Sequence, residues 1–322
     1  MKTIILCTTS RNHLRFLLPI IENLCKDNKV LLYCNYDELR NDSLCYSVET
    51  FLERYENFDT LDLDDFSEFL SVAENAHALL VTTGSSIIYH KFEFDLCYKV
   101  PCKTYAIQHG ISQEGITRIP DIYYSADHVL TWVKEENILK NAATPKEKFI
   151  PVGVPNHYYE KTDKIPNSKM FFFGRCFDAA DHSDIKLDIS NSFWKGIYTR
   201  EWKNKVLDEI DSLCDESPCY FVRHPGANEP LHPKLSKILY RKNKFLVDNR
   251  WLQDNNIKRN QLYSMCDEYY ITYPSSCFID CMLNGLDYKM FVDYNGNVDV
   301  LDSEEKLQSI NCTKKICEIL LE

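Results

Sequence analysis

Apolar runs and helix-periodic segments alternate along the whole chain, and this alternation constrains the fold more than any other feature. Runs at 3–7, 29–34, 78–82, 104–107, 128–132 and 149–152 are almost wholly hydrophobic, as strands covered on both faces must be. Between the first two, residues 13–26 place Leu14, Leu17, Leu18, Ile21 and Leu24 on one helical face. Strand, helix and strand in succession make a β-α-β unit, and repeated units make a parallel sheet. A second series follows, with strands at 170–173, 219–222, 245–247, 269–272 and 290–292 and helices at 198–214, 258–265, 277–284 and 304–321. Between the two series, after Gly153-Val154-Pro155-Asn156-His157, the segment 160–169 is polar, aperiodic and broken next to proline, as an inter-domain linker is. The chain therefore reads as α/β, with two doubly wound, Rossmann-like domains at 1–158 and 159–322 facing a central cleft.

Several function classes fall away. At 322 residues the chain can bury two cores, and 44% apolar with 26% charged residues is a globular composition. A net charge of −11 argues against a nucleic-acid partner, whose phosphates need clustered Lys and Arg. The N-terminal apolar stretch gives way to Thr8, Ser10 and Arg11 too soon for a signal peptide or a spanning helix, so the expected location is the cytoplasm. The 14 cysteines are scattered through apolar segments, as Cys7, Cys34, Cys219 and Cys281 are, without C-x-x-C pairs. They read as reduced core thiols, not as a zinc or redox site. Neither half carries a dinucleotide fingerprint or a P-loop, and the loop from Thr8 to Asn12 has no glycine.

Polar residues gather where the strands end. After 219–222 come Arg223, His224 and Pro225; after 269–272 come Ser275 and Ser276, at the start of the helix 277–284. Open α/β sheets bind ligands at such ends. A helix N-terminus beside two hydroxyls, an imidazole and a guanidinium suits a phosphate. Singly, each feature has a plainer reading: a core histidine before a strand-ending proline, or serine as an ordinary N-cap. Their joint occurrence in one half points to the anion. Arg175, following Gly174 at the end of 170–173, joins the same set. In the first half, His109-Gly110 and Glu114-Gly115 follow the strand 104–107, offering an imidazole and a carboxylate as general base; the plain alternative is a turn in which His109 caps a carbonyl. Asp62, Asp64 and Asp65 look like a metal cluster but read as acids in the first turn of a helix 66–74. The basic stretch 234–244, with Lys237, Arg241 and Lys242, reads as a solvated helix face or as a face for an anionic acceptor or membrane surface.

Taken in order, His109-Gly110, Val152-Gly153-Val154-Pro155, His224-Pro225 and Thr272-Tyr273-Pro274-Ser275-Ser276, with Asp280 beyond, resemble bacterial glycosyltransferases of the two-domain GT-B fold that use cytidine-activated donors. In one branch, the sialyltransferases and polysialyltransferases, an acidic pair before glycine precedes His-Pro and Ser-Ser; here Gln113-Glu114-Gly115 stands for that pair, with Gln113 replacing its first acid. In the other, the glycerol and ribitol phosphotransferases of teichoic acid and capsule synthesis, His-Gly precedes His-Pro and an Asp-Tyr-Ser-Ser segment, here interrupted by Pro274. The resemblance implies an acceptor-binding first domain and a nucleotide-donor-binding second domain. In both branches the resemblance implies that His224, of His224-Pro225, contacts donor phosphate with Ser275 and Ser276 on the same group; with Arg223 and Arg175 from the strand ends, these donors can stabilise the leaving nucleotide without metal or cofactor. The first branch makes Glu114 the base and the second His109.

The implied enzyme is an inverting, metal-independent glycosyltransferase. It moves a sialic-acid-like or related ulosonic acid from its CMP form to a glycan acceptor of a bacterial surface polysaccharide or lipooligosaccharide. The alternatives are a CDP-glycerol or ribitol phosphotransferase, a sugar-nucleotide epimerase, and a non-catalytic binding protein of the same fold. Its partners are the nucleotide-sugar donor and the glycan acceptor, with association at the inner face of the cytoplasmic membrane as a further expectation.

Overall fold

The structure, a computed structural model, describes residues 1–35, 52–110, 113–117, 119–173, 185–187, 196–198, 200–223, 230–272, 277–291 and 307–322. The chain divides into two compact units, Met1–Tyr158 with Glu304–Glu322, and Tyr159–Ser303.

The first unit runs β1 (Thr3–Thr8), α1 (Leu14–Leu24), β2 (Lys29–Cys34), β3 (Phe58–Asp62), α2 (Phe66–Ala73), β4 (Ala78–Val81), α3 (Lys91–Cys97), β5 (Lys103–Ile107), β6 (His128–Thr131) and β7 (Phe149–Pro151). Its seven strands lie in the order β3-β2-β1-β4-β5-β6-β7, every neighbour parallel. Ile4, Ile5, Leu6 and Cys7 are all fully buried, so both faces of β1 are covered, as the uniform apolar run requires. Chain order reverses between β1 and β4, and at such a switch point the loops at the carboxyl ends part to leave a crevice. β3 was not foreseen. As an edge strand it buries only Phe58 and Leu61 fully, and its two aspartates and threonine hide the pattern. Asp62 ends that strand and accepts the Asp64 N–H at 3.1 Å, while Asp65 takes the N-cap position of α2. The acids therefore precede the helix, and the acid of its first turn is Glu68.

Pro19 lies inside α1. Lacking an N–H, it cannot bond the Arg15 carbonyl one turn back. The backbone N–H of Tyr158 takes that carbonyl instead, at 2.6 Å, and so ties the end of the first unit's main segment to α1.

The second unit runs β8 (Lys169–Phe172), β9 (Ile185–Leu187), β10 (Gly196–Tyr198), α4 (Arg200–Leu213), β11 (Cys219–Val222), α5 (Pro233–Leu239), β12 (Lys244–Val247), α6 (Asn249–Asp254), α7 (Leu262–Met265), β13 (Glu268–Ile271), α8 (Cys277–Leu283) and β14 (Tyr288–Met290). Its main sheet is parallel, in the order β12-β11-β8-β13-β14, with the switch between β8 and β13; β9 and β10 pair antiparallel by themselves. Phe171 is in register with Phe221 and Tyr270 and stacks on both rings, at 5.2 and 4.8 Å. That aromatic ladder pins three strands at once. The helix expected at 258–265 is broken into a 3-10 turn, Arg259–Gln261, and the short α7.

The last helix corrects the expected boundary. Residues 159–322 were assigned to the second domain, but α9 (Thr313–Leu320) belongs to the first unit. Its buried stripe is Ile316, Cys317 and Leu320, with the Cys317 thiol 3.8 Å from the Ile20 carbonyl of α1 and the Tyr105 hydroxyl donating to the Ile319 carbonyl at 3.2 Å. The segment leading into it is also bonded, Val154 N–H to the Ser309 carbonyl and Cys312 N–H to the Val154 carbonyl, at 2.8 and 2.9 Å. Gly153 has φ +101°, and a Cβ there would stand 2.6 Å from the Ser309 hydroxyl and 2.7 Å from the Cys312 sulfur. The glycine of the Val152–Pro155 motif thus admits the returning C-terminal segment.

Candidate active site

At the switch point of the first unit the apolar strands give way abruptly to polar residues: Thr8 at the end of β1 with Thr9 and Ser10 beyond it, Thr82 and Thr83 after β4, Gln108 and His109 after β5. Glu93 of α3 reaches into this ring of ends with no exposed surface. Its Oε1 accepts the Thr9 N–H and hydroxyl, both at 2.9 Å, and its Oε2 accepts the Thr83 N–H and hydroxyl, both at 2.6 Å. The Thr82 hydroxyl stands 3.2 and 3.4 Å from the same two oxygens. A buried carboxylate is tolerated only when its lone pairs are met, and here β1 and β4 supply the donors.

Thr82 connects this carboxylate to two imidazoles. Its hydroxyl lies 2.8 Å from His13 Nδ1, and its carbonyl lies 3.1 Å from His109 Nδ1. A carbonyl only accepts, so Nδ1 of His109 carries the proton, and in the neutral ring Nε2 is the basic nitrogen. The His13 and His109 rings are 4.5 Å apart, and His90, whose Nδ1 is 2.7 Å from the Ser85 hydroxyl, meets His109 edge-on at 6.0 Å. Burial holds His13 well below the usual histidine range, aided by His109, Arg15 and His90 around it. Burial also lowers His90, against the pull of Glu93 and Glu114.

The loop that carries the expected base is held by amides. Gln113, buried, accepts the His109 N–H at 2.8 Å and donates to the Tyr124 hydroxyl at 2.7 Å, which in turn donates to the Glu114 carbonyl at 2.9 Å. Gln108 donates to the Gly110 carbonyl and accepts the Trp132 N–H, each at 2.7 Å. A carboxylate at 113 could take the His109 N–H but could not donate to Tyr124, so glutamine suits this position where an acidic pair would begin. His109 is half-buried within the histidine group, and Glu114 is half-buried farther along the same loop.

Sequence reasoning picked out His109 and Glu114 but passed over His13, Thr82, Thr83, His90 and Glu93. The run Thr82-Thr83-Gly84-Ser85-Ser86 carries the same signal as 108–115, a sudden polar stretch after a buried strand. Glu93 carries none, for between Lys91 and Asp95 it looks like any acid on a surface helix.

In the second unit β11, β8 and β13 end side by side, Val222 and Ile271 both in register with Phe172. Bonds from the Phe173 N–H to Val222 and the Thr272 N–H to Phe172, at 2.9 and 3.0 Å, close the ladder. Arg223 follows immediately, half-buried, its N–H on the Val247 carbonyl at 3.2 Å. The other expected phosphate residues, His224, Pro225, Ser275, Ser276 and Arg175, lie outside the described residues. Asp280 of α8 is buried and accepts the Tyr159 and Tyr263 hydroxyls at 2.7 and 3.0 Å, which anchors the helix that follows Ser276. The basic stretch is largely matched by acids and carbonyls: Lys234 pairs with Asp208 at 2.6 Å, Arg241 with Asp211 at 2.5 Å, and buried Lys244 donates to the carbonyls of Asp215 and Ser217. Among the described residues no cluster of three or more His, Cys, Asp and Glu could hold a metal ion, and no helix is long and apolar enough to cross a membrane.

The sequence matches no protein-family model and no curated protein. Its fold is similar to solved structures. The UDP-GlcNAc 2-epimerase of Methanocaldococcus jannaschii, in complex with UDP-GlcNAc and UDP, matches across 100% of this chain and 93% of its own, at 12% identity and a TM-score of 0.50. MnaA of S. aureus, in a co-structure with UDP, matches across 100% and 88%, at 10% identity and 0.49. The wall teichoic acid polymerase TagF matches across 99% and 88%, at 10% identity and 0.48. The chain has the GT-B fold, two parallel-sheet α/β domains.

Proposed function

We propose that this GT-B chain transfers a group from a nucleotide-activated donor to an acceptor hydroxyl, with His109 as general base and without a metal ion. The observation that carries the reading is the 3.1 Å contact of His109 Nδ1 with the Thr82 carbonyl at the switch point of the first unit. It leaves Nε2 as the nitrogen that takes a proton, which a base acting near neutral pH needs. The acceptor O–H gives its proton to Nε2 while its oxygen bonds to the donor's reacting atom. The bond from that atom to the nucleotide phosphate breaks, and the nucleotide leaves with the electron pair. Arg223 and Arg175 from the strand ends, with His224, Ser275 and Ser276 on the strength of the family resemblance, take up the charge that develops there. The fold is shared with an epimerase that holds UDP-GlcNAc and UDP, which supports a nucleotide-linked donor.

Two donors suit such a transfer, and they differ in the base. With a CMP-linked ulosonic acid the attacked atom is the anomeric carbon and Glu114 is the base; with a CDP-linked polyol it is phosphorus and His109 is the base. The loop favours the second, because Gln113 fills the first position of the acidic pair and is committed to the His109 N–H and Tyr124. On the family resemblance the acceptor is a hydroxyl of a bacterial surface polymer. The test is nucleotide release from CDP-glycerol and from CMP-sialic acid, with and without acceptor glycan or polyol. His109→Ala should lower kcat by about 100-fold or more with donor binding intact, and Glu114→Gln only mildly. The opposite pattern returns the ulosonic acid reading, and two near-normal variants make the loop structural. Turnover of a sugar nucleotide without acceptor would point to an epimerase instead.

A further inference from the structure

Fully buried Glu93 meets Thr82, which in turn meets Nδ1 of both histidine rings, and nothing in the transfer scheme uses it. Its partners are unusual in one respect. Among the described residues, each donor to its carboxylate comes from the ends of the two strands that flank the switch point, Thr9 beyond β1 and Thr82 and Thr83 beyond β4.

The hydrogen bookkeeping around Thr82 decides what this arrangement does. Thr82 has one hydroxyl hydrogen and four oxygen or nitrogen neighbours: His13 Nδ1 at 2.8 Å, Thr8 Oγ1 at 3.1 Å, and the two Glu93 oxygens at 3.2 and 3.4 Å. Thr8 gives its own hydrogen to the Ser10 carbonyl at 3.0 Å and accepts the Ser10 N–H at 3.1 Å, so toward Thr82 it can only accept. Were the Thr82 hydrogen turned to His13, the Thr82 oxygen would face two carboxylate oxygens and the Thr8 oxygen with no proton between them. In a buried site that repulsion is not screened. The hydrogen therefore points toward the carboxylate and Thr8, and His13 Nδ1 must be the donor to Thr82. The carbonyl of the same residue makes His109 Nδ1 a donor as well.

We infer that Glu93, acting through the Thr82 hydroxyl, is a positioning residue that holds His13 in the Nδ1–H tautomer, the same tautomer that the Thr82 carbonyl gives His109, so that Nε2 is the basic nitrogen of both rings. The role of His109 as base rests on the function proposed above; the tautomers do not. Glu93 and Thr82 touch no reacting atom. Thr82 serves both rings, its hydroxyl meeting His13 and its carbonyl His109, and the two rings lie 4.5 Å apart. Burial keeps His13 neutral, which the donor role at Nδ1 with an unprotonated Nε2 requires.

The test uses the full chain labelled with 15N-histidine, read by long-range 1H–15N correlation at neutral pH, with His13→Gln, His90→Gln and His109→Gln to assign the rings. Both His13 and His109 should give the Nδ1–H pattern. Thr82→Val keeps the carbonyl and the shape but removes the hydroxyl, so His13 should shift toward the Nε2–H form while His109 keeps its pattern; Thr82→Ser should restore His13. An Nε2–H ring at either position in the parent protein overturns the inference, and so does a folded Thr82→Val variant with His13 unchanged. Should Thr82→Val not fold, the parent spectrum still decides. Nδ1–H tautomers in a protein whose His109→Ala variant is fully active would leave the positioning network standing and remove the transferase reading of His109 alone.

Discussion

His13 makes the first unit sensitive to acid. Its ring is buried against His109 with Arg15 near, and burial followed by these neighbours holds its pKa well below the usual 6.5. An unfolded chain binds a proton there near pH 6.5, and the folded one does not until much lower. Between those values the unfolded state carries more protons, so stability is intact above about pH 6.5 and falls as the pH drops, by up to about 1.4 kcal/mol per pH unit for each such group. His90 and His128, both lowered chiefly by burial, add in the same direction. Asp215, held down by Ser217 and Lys169, acts in a lower window, losing its contribution only as the pH falls below the ordinary carboxylate range. Urea midpoints should therefore decline from about pH 7 to about pH 5, and His13→Gln, which can still donate to Thr82, should flatten the decline. An unaltered slope in that variant means His13 titrates normally.

At the level of elements, α1 carries two attachments that its sequence hardly advertises. Pro19 releases the Arg15 carbonyl to Tyr158, and the other flank of the helix meets α9. Ile316 is fully buried on that amphipathic stripe. Ile316→Ala should cost about 2 to 5 kcal/mol through lost transfer energy and the cavity left behind. Because α9 belongs to the first unit, hydrogen exchange should quicken in α1 and β1 while β8, β11 and β13 keep their protection. Faster exchange confined to the second unit would place the helix wrongly. α8 has the opposite character: it is short, and its buried Asp280 is met by Tyr159 and Tyr263, so a polar anchor more than an apolar stripe sets its place.

For the whole molecule, a net charge of −11 makes any anion site a local matter of aimed donors. The transfer scheme asks Arg, His, two serines and a helix start to do what a divalent ion does elsewhere, so acceptor-dependent nucleotide release should persist in excess EDTA. Abolition by EDTA with recovery in magnesium or manganese would show the charge stabilisation to be misassigned. Most strands and helices were legible in the sequence, β3, β9 and β10 being exceptions, because their signals are local: a buried parallel strand must be apolar throughout, and α1 must show one apolar stripe. From those signals came the α/β class and the expectation of ligand residues at strand ends, and His109 is at one. What only the tertiary structure decided is what those ends meet. Thr9 and Glu93 are 84 residues apart, and no local rule marks an acid between Lys91 and Asp95 as the one that will be buried beneath two strand ends. The same holds for α9, whose stripe was readable but not the unit that covers it. Hydrophobic periodicity is written into neighbouring residues, whereas the partner of a buried carboxylate or of an apolar stripe is chosen by how distant segments pack.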